Sequence, residues 1–158
     1  MDYEIADGKE QATAHKAMFA RTFFLCFAAS ILNGYLFSYI QETFFPGLEG
    51  NPVDNLSLPE QLFLACLIAP LLETLIFQYW AINILNKVGV RNYYLQLVIP
   101  AVLFGLGHQY NPLYVVAMFV AGIIMNYLFL YCKANKYKAF VWVALLHCLY
   151  NLYGTLFV

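Results

Sequence analysis

Glu73, His108, His147 and Asn151 are polar side chains set within, or at the end of, stretches that otherwise suit lipid. Glu73 interrupts APLLETLIFQYW. His108 closes a run from Tyr93. His147 and Asn151 lie four residues apart in a run from Ala139 and so share one helix face, as do Phe104 and His108. An ionisable group at the centre of a membrane helix costs about 2.5–3.5 kcal/mol on insertion scales. Each is therefore expected to face other helices and to have a partner. Taken singly, each fits a structural hydrogen bond between helices, and Glu73 also fits the proton relay of a carrier. Taken together, they offer a general base, its partner, and donors for a developing oxyanion, which is a set able to drive water onto a carbonyl. Pro70 precedes Glu73 by three residues. It has no N–H to offer the carbonyl of Cys66, so a kink and a freed backbone acceptor are expected there.

These residues need a membrane bundle to position them. The chain has 158 residues, 63% apolar and 11% charged, with mean hydropathy +0.66. That composition implies a polytopic, all-α membrane protein with one domain. A net charge of −1 without a basic block argues against nucleic acid as a partner. Residues 1–17 form a polar tail in which His15 is expected to be solvated, and residues 18–158 the domain. Five apolar segments follow: about Thr22–Ile40, a retained anchor; Leu58–Leu85; Tyr93–His108; a fourth ending near Cys132; and Ala139–Phe157. Ser57 and Glu60 form a capping box before the second, and Asn111 with Pro112 starts the fourth. The runs are continuous rather than alternating, which argues against a β-barrel. Cys26, Cys66, Cys132 and Cys148 have neither disulfide nor zinc-knuckle spacing and suit small apolar positions. With five spans, all eight Lys and Arg residues fall on one side. The positive-inside rule makes that side cytoplasmic, with the N-terminus inside, the C-terminus outside and the acidic 41–60 loop outward. His108 lies at the outer end of its span, so a cavity opening outward is expected.

Pro70-x-x-Glu73-x-x-x-Phe77-Gln78, Phe104-x-x-x-His108 and His147-x-x-x-Asn151 resemble, in order and placement, the EExxxR, FxxxH and HxxxN/D motifs of the CPBP family. These are the CAAX-protease and bacteriocin-processing (Abi/Rce1-like) intramembrane proteases. The resemblance spans about Ala69 to Asn151. It implies an intramembrane endopeptidase in which Glu73 and His108 activate water while His147 and Asn151 hold the oxyanion. It implies no cofactor in the glutamate-protease mechanism, or zinc held by Glu73, His108 and His147 in the older metalloprotease one. The substrate implied is a membrane-anchored protein or peptide in a bacterial plasma membrane, such as a bacteriocin leader or the sorting tail of an exported protein; a prenylated CAAX tail ranks lower. Thr74 and Gln78 stand where the family has its second glutamate and its arginine. They are expected to form a compensated, hydrogen-bonding neutral pair. The rival reading is a non-catalytic immunity or peptide-binding protein using the same cavity.

Overall fold

The computed structural model describes residues 2–157, with side chains from residue 11 onward except residue 12. Five long helices make up an all-α polytopic membrane bundle: α1 (Asp2–Phe44), α2 (Leu58–Lys87), α3 (Tyr93–Leu106), α4 (Pro112–Ala134) and α5 (Ala139–Phe157). Four are long and apolar enough to cross a membrane: α2, α4, α5 and the Thr13–Phe44 part of α1. Helix α3 has 14 residues, about 21 Å at 1.5 Å per residue, short of the roughly 30 Å hydrocarbon thickness. The two expected caps hold: Ser57 and Glu60 form the capping box, and Asn111 accepts from Tyr114 N–H ahead of Pro112. Asn92 adds a third, accepting from Leu95 N–H.

Helix α1 departs from the expected anchor. It begins at Asp2 rather than near Thr22, because its first turns are rich in Ala, Glu, Lys and Gln, all good helix formers. A buried stripe of Phe19, Phe23, Cys26, Ser30 and Asn33, spaced three or four apart, packs it into the bundle. Phe19 stacks on Tyr137 at 4.1 Å and meets Trp142 at 4.8 Å. His15 is not simply solvated: the Tyr137 hydroxyl pairs with its Nδ1 at 2.9 Å, and its Nε2 lies 3.4 Å from Asn135 Oδ1. These contacts tie the start of α1 to the α4–α5 turn. Lys133 Nζ donates to Asn83 Oδ1 at 3.2 Å, bringing the end of α2 to the same end of the bundle.

Helices α3 and α4 form an antiparallel hairpin whose backbones nearly touch. A Cβ on Gly122 would lie 2.9 Å from Ala101 Cα, and one on Gly105 would lie 2.8 Å from Val115 O. Without a hydrophobic force between helices in lipid, close backbone approach and interhelical hydrogen bonds carry the association. Asn126 Nδ2 donates to Leu97 O at 2.7 Å across this contact. The hairpin presents His108 at its turn.

Candidate active site

The helix that carries Glu73 is not uniformly α. Leu64–Ile68 and Thr74–Trp80 are π-wound, flanking the α turn Ala69–Glu73, a distortion often found at functional sites. Ala69 N–H bonds Leu64 O, five residues back. One step further, that register would pair Pro70 with Ala65 O, and proline has no N–H. Asn151 Nδ2 fills the gap, donating to Ala65 O at 2.7 Å. Asn151 thus serves Ala65 O, the carbonyl that an i→i−5 step would pair with Pro70, one residue before the Cys66 O expected from an i→i−4 step. Asn151 keeps a second amide N–H and its carbonyl oxygen.

Three of the four candidate residues converge on one carboxylate oxygen. Glu73 Oε2 lies 3.6 Å from His108 Nε2 and 3.7 Å from His147 Nε2. His108 follows the end of the short α3, yet its ring turns back along the helix and Nδ1 lies 2.7 Å from Phe104 O. That orientation lets a residue in the turn meet residues lower in the bundle. Phe104 is buried beneath, with its ring 4.6 Å from His108, 5.9 Å from His147 and 5.4 Å from Phe77. His147 is 4% exposed, and its Nδ1 has no hydrogen-bond partner among the described residues.

Glu73, His108, His147 and Asn151 all line one cavity of about 630 Å³. It runs among Met118, Met125 and Leu146 at one extreme and reaches Gln41, Glu42 and the 50–54 loop at the other. Its open end is thus the acidic-loop end of the bundle, away from the turns that bear the lysines. The sequence reading missed how much of the wall α1 supplies: Ser30, Asn33, Gly34, Phe37, Ser38 and Gln41 all face the cavity. The signal was present, since small and polar residues recur there at three- and four-residue steps inside an apolar span. Tyr114 was missed too; its ring is 6.1 Å from His108 and its hydroxyl accepts from Asn51 Nδ2 at 3.2 Å.

Thr74 and Gln78 are both fully buried, but they do not hydrogen-bond as the sequence led us to expect. Thr74 Oγ1 and both polar atoms of the Gln78 amide lack partners among the described residues. Among the described residues, no group of three His, Cys, Asp or Glu side chains is placed to hold a metal ion.

Residues 55–153, more than half the chain, match the family model described as Rce1-like, type II CAAX prenyl endopeptidase. No curated protein and no solved structure matches the chain.

Proposed function

The chain belongs to the Rce1-like family of type II CAAX prenyl endopeptidases, and we propose that it hydrolyses a peptide bond of a membrane-associated substrate with water activated by Glu73 and His108. The observation that carries this reading is the placing of one Glu73 oxygen 3.6–3.7 Å from two imidazoles on the wall of a cavity. Polar separations of this size suit a bridging water. In the proposed step, Glu73 takes a proton from water while the oxygen attacks the scissile carbonyl carbon. The resulting oxyanion accepts hydrogen bonds from His147 and from the free amide N–H of Asn151. Collapse breaks the C–N bond, and the departing amine takes the proton back. This route asks for no metal ion, and Glu73, His108 and His147 as placed do not form a set able to hold one; loss of activity on chelation, restored by zinc, would overturn the route in favour of zinc drawn in by those three.

The substrate proposed is a bacteriocin leader or sorting tail in a bacterial plasma membrane, reached from the outer side, with the N-terminus of the chain inside and the C-terminus outside. A second reading, a peptide-binding protein without catalysis, is favoured by the neutral Thr74 and Gln78. Reconstituted protein and mass-spectrometric detection of cleaved peptides separate the two. Glu73→Gln, His108→Ala and His147→Ala are each expected to abolish cleavage while the protein stays folded in the membrane. Cleavage surviving Glu73→Gln would end the glutamate-base mechanism.

A further inference from the structure

Glu42, near the end of α1, and Asp54, in the short 3₁₀ turn Pro52–Asn55, are exposed side chains that line the open end of the cavity. Among the described residues, no lysine or arginine lines any part of it, and neither carboxylate has an ion-pair partner. The loop that carries Asp54 is fastened in place. Asn111 Nδ2 donates to Glu49 O at 2.7 Å, Asn51 Nδ2 donates to the Tyr114 hydroxyl at 3.2 Å, and Asp54 N–H bonds Asn51 O at 3.0 Å. Behind this rim, amides from Asn33, Gln41 and Gln61 lead inward to Glu73 and to the buried His147, whose Nδ1 is unpartnered.

We infer that this mouth selects a cationic peptide segment, with Glu42 and Asp54 as the side chains that set the preference. The inference rests on the peptidase reading for the use made of that peptide. A cleft walled with low-dielectric material and lined by one sign of charge concentrates the opposite sign. A free C-terminal carboxylate or an acidic residue held in the mouth would meet two carboxylates and no counter-cation. The segment occupying the mouth therefore carries Lys or Arg.

The test needs no turnover, so it stands apart from the fate of the peptidase reading. Ser38, on α1 one turn from Glu42, faces the cavity, and Ser38→Cys is nearly isosteric. In nanodiscs, labelling of the introduced thiol by a cationic trimethylammonium-ethyl thiosulfonate is compared with labelling by the anionic sulfonatoethyl reagent. Rates are normalised to a free small thiol, and the parent chain supplies the background of its own cysteines. The cationic reagent is expected to win by roughly tenfold at low salt, the lower end of such focusing effects, and to lose most of that advantage at about 1 M salt. Glu42→Gln and Asp54→Asn should each reduce the ratio, and together remove most of it, Glu73 remaining in the same cavity. Two synthetic octapeptides differing in Lys-Lys against Glu-Glu flanks serve as competitors; the lysine peptide should protect the introduced thiol at lower concentration, and the double variant should shrink the difference. A ratio near one in the chain carrying both acids, or a preference undiminished in the double variant, would overturn the inference.

Discussion

The pairing of Asn151 with Ala65 can be separated from any part Asn151 plays in chemistry. Asn151 Nδ2 donates at 2.7 Å to a carbonyl whose π-register partner would be Pro70. Asn151→Ala leaves that half-buried carbonyl on the cavity wall without its donor, and an acceptor left unsatisfied costs up to about 1–3 kcal/mol. Pro70→Ala restores an N–H five residues after Ala65 and also trims a fully buried ring, so its own effect mixes helix gain with packing loss. The informative quantity is the coupling. In the Pro70→Ala background, Asn151→Ala should cost about 1–3 kcal/mol less than in the parent, because the backbone then supplies the missing donor. Denaturant titration in detergent micelles, followed by circular dichroism, measures it. Activity should behave differently. If the second amide N–H serves the oxyanion, Asn151→Ala lowers kcat by about 10²–10³, and Pro70→Ala does not restore it. Additive stabilities, within about 0.5 kcal/mol, would refute the substitution of Asn151 for the proline N–H. Recovery of kcat along with stability would refute the oxyanion role and make Asn151 a positioning residue.

Gly122→Ala should destabilise the α3–α4 hairpin by about 1–3 kcal/mol, since its Cβ would sit 2.9 Å from backbone Ala101 Cα; thermal unfolding in detergent reads this, and an unchanged midpoint would show that the helices separate freely. Thr74→Glu and Gln78→Arg each bury an unpaired charge and should cost about 3–5 kcal/mol. The double variant should recover part of that, whereas strictly additive losses would show that the two positions do not couple. For orientation, single cysteines at Gly50 and Asn135 should label from opposite sides of sealed vesicles, outside and inside; labelling from the same side would overturn the proposed arrangement of spans.

The sequence by itself determined the membrane class, the helix count and most helix starts, because these depend on local quantities: apolar run length, capping residues and prolines. Ser57 with Glu60 and Asn111 with Pro112 act within one turn of their own positions, so they can be read without knowing the neighbours. The candidate residues were equally legible, since a carboxylate or an imidazole within an apolar span must find company. What the sequence left undecided was the winding of α2. An α-helical step between Pro70 and Cys66, and a hydrogen bond between Thr74 and Gln78, were reasonable expectations that the structure set aside. Winding of that kind depends on what neighbouring helices offer, here the Asn151 amide from α5, and no local pattern records it. The role of α1 was settled in the same way. Its polar positions were visible, but whether they faced lipid, a loop or a cavity was decided by the aromatic contacts of Phe19 and Phe23 that fix its rotation. Convergence of Glu73, His108 and His147 within 4 Å likewise required a short α3 and a ring turned back onto Phe104 O. Those are long-range placements, set by how five helices pack rather than by the propensities of any one of them.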